Sequence, residues 1–401
     1  MSQTLNVGFQ QNPLTLYAKR GFFGVRGTPS SLVTANNSAT LIAGNGSFSL
    51  TGQSATLGSS GGDGAVISSG VLTVTRAAGG FGTKTTAAPL FFNDFEGQSV
   101  GATCSACGLT NPIDATSVLV ANDKSYSGTK SLKGIFPQST ESFPEVSLVT
   151  TGALQIYCSA WTYWDAPNGF VVGGTTISPI FKWCRGGSNN SGGLYHGFPQ
   201  FYQTLRSSTG TVTGGDWGYK DDNSVVAWSQ SMYNGVNLPG PTYRQWNYSE
   251  YSYALNNPAS ATNGVVQMWN NGRDMFPAPY VNQLNGSLVT TGKTRTTSST
   301  ATIDWLITFF DGVSSSAGNN PLLNLYVDLL YVDTTLQRCI MTESASYATY
   351  TKFAPQIPTS WTDTACQFTY RNDGFTVGQS AWIHMFNASG VEVVSYQVVV
   401  Q

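Results

Sequence analysis

Short runs in which apolar and polar residues alternate recur along the whole chain. Clear examples are residues 71–75, 265–269 and 366–370, which read VLTVT, VVQMW and CQFTY. A period of two is typical of β-strands with one buried face, and these runs are bounded by Gly, Asn, Asp and Ser, as strands are. No long window repeats apolar residues at the spacing of a helix. The pattern therefore predicts an all-β protein.

Two stretches depart from strict alternation because they are apolar almost throughout. Residues 303–310 and 325–332 are such runs, and we expect both to be strands buried on two faces. Near the end of the chain, residues 382–386 and 391–400 flank Asn387-Ala388-Ser389-Gly390, which predicts a closing hairpin.

Shifts in composition divide the chain into three predicted parts. Residues 1–88 are rich in Gly and Ser and form a predicted N-terminal β-module for anchoring. Residues 89–342 hold eight of the ten Trp and are long enough for a large two-sheet sandwich. Residues 343–401 form a predicted small C-terminal β-domain, so small domains flank the central sandwich.

Charge is scarce, since 19 Lys and Arg plus 21 Asp and Glu make up 10% of the 401 residues. Soluble domains usually carry roughly 25%. The net charge is −2 and no basic cluster occurs, which argues against nucleic acid and anionic membranes as partners. The first residues lack the basic and apolar regions of a signal peptide, so we expect synthesis in a cytoplasm without secretion.

Several phrases of the sequence resemble one family. They are residues 43–53, 91–97 (FFNDFEG), 127–133 (SGTKSLK), 325–335 with Arg338, and 357–361 with Asp363 and Gly374. Their order is similar to virion proteins of tailed bacteriophages that contain a concanavalin A-like (laminin-G type) jelly roll. The resemblance implies a central concanavalin A-like jelly-roll sandwich and a place on a virion. It supplies no catalytic motif.

Related jelly rolls that hydrolyse β-glucans carry Glu-x-Asp-x-x-Glu on one strand, and this triplet is missing here. Glu141 and Glu145 are the nearest equivalent, but Pro144 lies between them and interrupts strand pairing. We therefore predict no enzymatic activity. Under the alternative of a polysaccharide depolymerase, Glu141, Glu145 and His196 are the residues to mutate.

Residues 195–253 contain 13 aromatic side chains in 59 residues, interleaved with turn-forming residues. Because so many turns leave too few core positions, we expect some rings to reach the surface and bind a sugar or a neighbouring subunit. Ordinary core packing is the alternative. The predicted binding residues are Trp217, Tyr219, Trp246 and Tyr248 as exposed rings, with Tyr195 and His196 beside them.

Other polar residues give weaker signals. Asp221-Asp222-Asn223 fits a calcium-binding loop, but a solvated turn is favoured, and we predict no cofactor. Cys104 and Cys107 have the spacing of half a zinc site without a second half, which favours reduced thiols or one disulfide. His384 alternates with Trp382 and Phe386 and is expected in the core. Acids at strand ends, such as Asp328 and Asp333, are expected to form turns or pair with Arg338.

Taken together, the sequence favours a structural protein on the surface of a tailed-phage virion, as a capsid decoration or a tail or fibre appendage. Its partners would be other virion proteins and further copies of itself, with a trimer as the first expectation. Binding would use uncharged aromatic surfaces. The alternatives are an adhesin that binds a bacterial surface glycan and a depolymerase on the same scaffold.

Overall fold

The computed structural model describes residues 3–7, 14–19, 22–26, 63–110, 117–138, 141–142, 144–173, 175–176, 180–187, 199–207, 212–221, 243–261, 263–271, 273–274, 283–284, 287–288, 302–314, 321–347 and 350–401. None of these residues is in an α-helix, and Cys104–Cys107 form a 3₁₀ turn. All strand pairs in them are antiparallel, as the alternating pattern predicts. No helix in this part of the chain is long and apolar enough to cross a membrane.

The largest sheet has eight strands and supplies one layer of a sandwich. In chain order its strands are β6 (Phe91–Asn93), β7 (Val118–Ala121), β8 (Ser131–Phe136), β11 (Gln155–Asp165), β17 (Trp246–Ala254), β18 (Val265–Asn270), β19 (Arg273–Asp274) and β23 (Leu323–Asp333). Their spatial order is β19-β18-β17-β11-β23-β8-β7, and β6 also pairs with β23.

A six-stranded sheet forms the second layer. Its strands are β9 (Glu141–Ser142), β10 (Ser147–Ala153), β14 (Ile180–Gly187), β15 (Pro199–Ser207), β16 (Val212–Asp221) and β22 (Ile303–Ser314). Their spatial order is β10-β22-β14-β15-β16, with β9 beside β22.

One apolar core lies between these two sheets. Leu132, Trp164 and Leu325 come from the eight-stranded sheet, and Leu306 and Phe310 come from the six-stranded sheet. The layers approach closely at Gly134, where a Cβ atom would lie 2.6 Å from the ring of Phe310. The protein is thus an all-β jelly-roll sandwich, and the fold class predicted from the sequence is confirmed.

A third, seven-stranded sheet is built from both ends of the chain. Its strands are β4 (Gly64–Ser68), β5 (Val71–Thr75), β24 (Arg338–Thr342), β25 (Phe353–Trp361), β26 (Ala365–Thr369), β27 (Ser380–Phe386) and β28 (Glu392–Val399). Their order is β28-β27-β24-β25-β26-β5-β4, and β28 also lies beside β4. The sheet therefore curls around its own core, which includes Leu72, Phe81 and Ile383.

Three smaller groups of strands complete the described residues. A three-stranded meander consists of β1 (Gln3–Val7), β2 (Leu14–Lys19) and β3 (Phe22–Arg26). Two short hairpins consist of β12 (Val171–Val172) with β13 (Thr175–Thr176), and β20 (Gln283–Leu284) with β21 (Ser287–Leu288).

The strands read from the local pattern are confirmed. Residues 71–75 form β5, residues 265–269 lie in β18, and β27 and β28 form the closing hairpin. Every residue of β23 is buried, so its two-faced burial is confirmed. In β22 Trp305 is partly exposed, although Ile303, Leu306 and Phe310 are buried as expected.

Sheet pairing crosses the domain limits that composition suggested. β5, from the predicted N-terminal module, pairs with β26 of the predicted C-terminal domain. β24, from the predicted central domain, pairs with β25 and β27. The limits at residues 88 and 342 stay a prediction.

An aromatic layer joins the seven-stranded sheet to the outer face of the eight-stranded sheet. Trp161 and Tyr248 pack there against Phe353 and Phe386, and all four side chains are buried. The indole Nε1 of Trp161 also donates a hydrogen bond to the carbonyl oxygen of Phe353 at 3.2 Å. β11 and β17 are consequently covered on both faces over most of their length.

Candidate functional site

The structure describes four of the six residues that were predicted to bind a ligand. Tyr195 and His196 lie outside the described residues. Trp217 and Tyr219 lie on β16, where the backbone is described and pairs them with Gln203 and Phe201 of β15. Two residues apart on one strand, they share a face of the six-stranded sheet. Their role in binding stays a prediction.

The expectation that Tyr248 is an exposed ring is wrong. Its side chain is fully buried, and its ring stacks on Phe353 with the centroids 3.3 Å apart and the planes at 24°. The reason is tertiary, because the strand pattern places Tyr248 on the outer face of β17 and the seven-stranded sheet then covers that face. Some of the aromatic residues in segment 195–253, such as Tyr248, therefore pack between the eight-stranded and the seven-stranded sheet.

Trp246 lies two residues earlier, where this cover ends, and it is partly exposed. It belongs to a row of residues directly opposite one another on four adjacent strands. Lys133 of β8 faces Tyr326 of β23, Tyr326 faces Tyr163 of β11, and Tyr163 faces Trp246 of β17. We call Tyr326, Tyr163 and Trp246 the aromatic row.

The rings of the aromatic row contact one another in sequence. The centroids of Tyr326 and Tyr163 are 5.9 Å apart, and those of Tyr163 and Trp246 are 5.6 Å apart. Tyr326 is buried, whereas Tyr163 and Trp246 each expose part of their surface. A strip of ring surface therefore faces solvent across β11 and β17.

Two ion pairs flank the aromatic row. Lys133 Nζ lies 2.9 Å from Asp123 Oδ2 beyond Tyr326, and Arg244 Nε lies 2.7 Å from Asp165 Oδ1 beside Tyr163. The hydroxyl of Tyr326 also donates to Asp123 at 2.7 Å. Partial burial acts to raise the pKa of Asp123, but the hydrogen bonds from Lys133 and Tyr326 outweigh it and lower the pKa below its ordinary value.

A third cation, Lys124, lies over the aromatic row itself. Its Nζ is 4.7 Å from the ring centroid of Tyr163 and 5.9 Å from that of Tyr326, which are cation–π distances. The loop that carries it is anchored, since Ser131 Oγ donates to the carbonyl oxygen of Lys124 at 2.7 Å. The row thus combines flat apolar faces with charged groups at its edge.

A β-bulge in β23 fixes the rest of this loop. The pairing with β11 shifts between Ser159 and Trp161, and Leu329 has a φ of 50°. Oδ2 of Asp328 accepts hydrogen bonds from the backbone N–H groups of Tyr126 at 2.8 Å and Ser127 at 3.0 Å. Burial raises the pKa of Asp328 to about 7 in spite of these donors. Asp328 thus forms a turn-like anchor, as expected, and does not pair with Arg338.

Tyr126 connects this loop to the aromatic layer between the sheets. Its ring stacks on Trp161 at 3.7 Å and meets the edge of Trp246 at 6.2 Å. The exposed strip of the aromatic row is therefore continuous with a rigid buried aromatic layer.

A second cluster of chemistry-bearing residues is enclosed between the sheets. The carboxylate of Glu250 on β17 is fully buried and accepts hydrogen bonds from three hydroxyl groups, those of Tyr157, Tyr347 and Tyr350. Burial, followed by the negative charge of Glu250, raises the pKa of each of these phenols well above its ordinary value. We call these four residues the Glu250 cluster.

Arg338 provides the positive charge of this cluster. Its Nε lies 3.7 Å from Oε1 of Glu250, and its guanidinium lies 3.8 Å from the ring centroid of Phe386. Asp333 instead pairs with Lys84, so the expected pairing of Asp333 with Arg338 is wrong. Because the Glu250 cluster has no exposed member, it can hold the two sheets together but cannot receive a polymer from solvent.

The remaining candidate residues are buried in the fold. His384 is fully buried, as predicted, with Nδ1 2.7 Å from Glu392 Oε1 and Nε2 2.8 Å from Thr342 Oγ1. Cys104 and Cys107 are free thiols, both buried, and burial raises the pKa of Cys107 to about 11. Within the described residues no group of three or more His, Cys, Asp or Glu is placed to hold a metal.

The acidic residues considered for catalysis and for calcium binding are described only in part. Glu145 is buried, and Glu141 lies on β9, of which only the backbone is described. In the segment 221–223, for which a solvated turn was favoured over a calcium loop, Asp221 ends β16, while Asp222 and Asn223 lie outside the described residues.

Sequence reasoning found Trp246 but missed Tyr163, Tyr326 and Lys124. Tyr163 and Tyr326 lie within strands whose apolar pattern hides them, since Tyr163 follows the run from Ile156 and Tyr326 lies in β23. Only the register of β23, β11 and β17 brings the three rings together. The one local signal was the alternation of Trp161 and Tyr163 with Thr162 on β11.

No family model and no curated protein matches the sequence. Solved structures with a similar arrangement include the cellulose induced protein Cip1, at 12% identity over 61% of this chain and 97% of that one, with a TM-score of 0.37. The alginate lyase Aly36B matches at 10% identity over 62% of this chain and 98% of that one, with a TM-score of 0.38. The catalytic domain of a family 131 glycoside hydrolase from Coprinopsis cinerea matches at 12% identity over 61% and 94%, with a TM-score of 0.33. Scores this low establish neither a shared family nor a shared function.

Proposed function

We propose that this protein binds a polysaccharide, without cleaving it, through the aromatic row. The observation that carries the proposal is the in-register placement of Tyr326, Tyr163 and Trp246 across three adjacent strands, with two of the rings partly exposed. Flat rings with one apolar face and a polar edge suit the C–H faces of sugar rings. A row of them suits a polymer better than a single small ligand.

The rigidity of the row supports recognition through a preformed surface. Each ring stands on a strand of a sheet whose inner face belongs to the sandwich core, and Tyr126 braces Trp246 from the loop side. A preformed surface loses little conformational entropy when a ligand binds.

The state of the nearby acids favours binding over hydrolysis. Asp123 and Asp165 are each engaged by a cation, and the lowered pKa of Asp123 keeps it ionised at neutral pH. Glycoside hydrolysis requires one carboxylic acid that is still protonated and can donate to the leaving oxygen. Asp123 does not meet that requirement.

We further propose the surface of a tailed-phage virion as the setting, with bacterial surface glycan and other virion proteins as partners. The resemblance of residues 91–97, 127–133 and 325–335 to such proteins supports this, together with the 10% content of charged residues. Few ions need desolvation where low-charge copies pack together. Labelling of phage particles with an antibody against this chain tests the setting, and an unlabelled particle would contradict it.

The binding proposal is tested with the full chain on an array of bacterial polysaccharides, followed by titration calorimetry on the strongest ligand. Trp246→Ala and Tyr163→Ala are each expected to weaken the affinity at least about tenfold, because each removes a central ring contact. Tyr370→Ala is the matched control, since Tyr370 is partly exposed and directly follows β26 of the seven-stranded sheet.

The expected affinity of Tyr370→Ala equals that of the wild type. Release of new reducing ends during incubation would support the depolymerase instead. Equal weakening by all three substitutions, or binding to no polysaccharide, would overturn the proposal.

A further inference from the structure

Of the charged side chains described next to the aromatic row, four form ion pairs and one cation does not. Asp123 is paired with Lys133 and Asp165 is paired with Arg244, so these four charges cancel in two ion pairs. Lys124 is the fifth charged group. Among the described residues its ammonium makes no ion pair and no hydrogen bond, and its contacts are the faces of Tyr163 and Tyr326. Within the described part of the chain, Lys124 is therefore the cation at these rings that no ion pair engages.

This charge stands at the part of the row where a sugar would lie. Lys124 Nζ is 4.7 Å from the centroid of Tyr163, and Trp246 is 5.6 Å from the same centroid. The ammonium and the indole therefore both lie next to the ring of Tyr163. A sugar ring stacked on Tyr163 and Trp246 brings its substituents within reach of Lys124.

Because it is partly buried, this ammonium attracts an anion more strongly than a fully hydrated ammonium does. Lys124 is partly buried, and its loop is fixed by Ser131 and by the hydrogen bonds from Tyr126 and Ser127 to Asp328. A charge held in place near low-dielectric ring surfaces attracts an anion more strongly than a mobile surface lysine does.

We propose that Lys124 makes the aromatic row selective for an acidic polysaccharide, one whose sugar units carry an anionic substituent. This inference rests on the proposed function, because it assigns the ligand class of the same surface. A carboxylate and a sulfate ester share the required chemistry. The ammonium forms a charge-assisted hydrogen bond with either group, while the rings hold the sugar.

The test uses matched pairs of polymers, each an acidic bacterial polysaccharide and the same polymer after chemical reduction of its carboxyl groups to alcohols. A sulfated polysaccharide and its desulfated form provide the second arm. Affinities of the 401-residue chain are measured by calorimetry at low and at high salt. The wild type is expected to prefer an acidic form at least about tenfold at low salt, with a smaller preference at high salt.

Substitution of Lys124 assigns the preference to this residue. Lys124→Met keeps most of the length of the side chain without its charge and is expected to bind both members of a pair equally, at the affinity of the neutral form. Lys124→Arg is expected to restore the preference. Trp246→Ala is expected to weaken the acidic and the neutral forms alike.

The outcomes separate this inference from the proposed function. Equal binding of acidic and neutral forms by the wild type, or a full preference retained by Lys124→Met, overturns the role of Lys124 and leaves the polysaccharide-binding row intact. Binding of no polymer in the panel overturns both. Preference in only the carboxylate arm or only the sulfate arm supports the inference and identifies the anionic group.

Discussion

At the scale of single residues, Trp246 and Tyr248 show that the exposure of similar side chains depends on their position along the strand. Both lie on the outer face of β17, two residues apart. Tyr248 is covered by Phe353, whereas Trp246 stands beyond this cover and keeps part of its surface exposed. The local sequence predicts that both rings are exposed. The difference comes from where the seven-stranded sheet ends.

Two buried tyrosines lead to opposite predictions for the same chemical change. The hydroxyl of Tyr248 has no hydrogen-bond partner among the described residues, whereas that of Tyr350 donates to Glu250 Oε2 at 2.6 Å. Tyr248→Phe is therefore expected to leave the free energy of unfolding unchanged or raise it slightly. Tyr350→Phe is expected to lower it by about 1–3 kcal/mol, because a buried carboxylate loses a donor.

Urea denaturation of the two variants measures this difference, and each serves as the control for the other. Loss of stability in Tyr248→Phe equal to that in Tyr350→Phe would show that the Glu250 cluster does not bind the sheets together as described.

At the scale of elements, the strands themselves were predictable and their partners were not. Residues 71–75 and 366–370 show the alternation expected of strands, and both form strands. That β5 pairs with β26 was not predictable, because pairing between distant segments leaves no local pattern. The same limit hid the aromatic row, whose members come from three strands.

The bulge in β23 was also beyond sequence reasoning. The run around Asp328 is apolar on both sides, so an extra residue in the strand does not disturb the pattern. Asp328 was recognisable as a polar residue inside an apolar run. Its role, to hold the backbone of Tyr126 and Ser127, depends on a loop that is distant in the chain.

This anchor predicts a pH dependence of stability. The ordinary pKa of Asp328 is 3.8, and burial raises it to about 7 in the folded protein, with the charge of Asp373 acting in the same direction. The folded state therefore binds the proton more tightly than the unfolded state. As pH rises from about 4 to about 7, this residue lowers the free energy of unfolding, by a few kcal/mol at most.

Comparison of the wild type with Asp328→Asn isolates the effect, because other acids, such as Asp333 with its raised pKa, contribute equally to both proteins. The difference in unfolding free energy between them is expected to change steadily across this pH range and to be constant above it. A difference independent of pH would contradict the anchored, buried state of Asp328.

At the scale of the whole molecule, the jelly-roll sandwich and the seven-stranded sheet are joined by three connections. β23 leads directly into β24, the aromatic layer packs between the sheets, and the Glu250 cluster links β17 to residues that follow β24. The seven-stranded sheet also needs β4 and β5 from before residue 88. Segments that are distant in the chain therefore meet in the seven-stranded sheet.

Truncation tests this architecture. A chain of residues 63–401 retains every strand of the seven-stranded sheet and is expected to unfold in calorimetry at nearly the same temperature as the full chain. A chain of residues 89–401 loses β4, β5 and the buried ring of Phe81, and it is expected to be strongly destabilised or insoluble. Equal stability of the two truncated chains would contradict this architecture and support the predicted domain limit at residue 88.

The central claim is that the aromatic row is the surface that holds sugar. A crystal structure of the protein with an oligosaccharide from its strongest polysaccharide ligand tests this most directly. The account predicts a sugar ring stacked on Tyr163 and Trp246, with an anionic substituent next to Lys124. An oligosaccharide bound on the face of the six-stranded sheet that carries Trp217 and Tyr219, with the aromatic row left unoccupied, would contradict it.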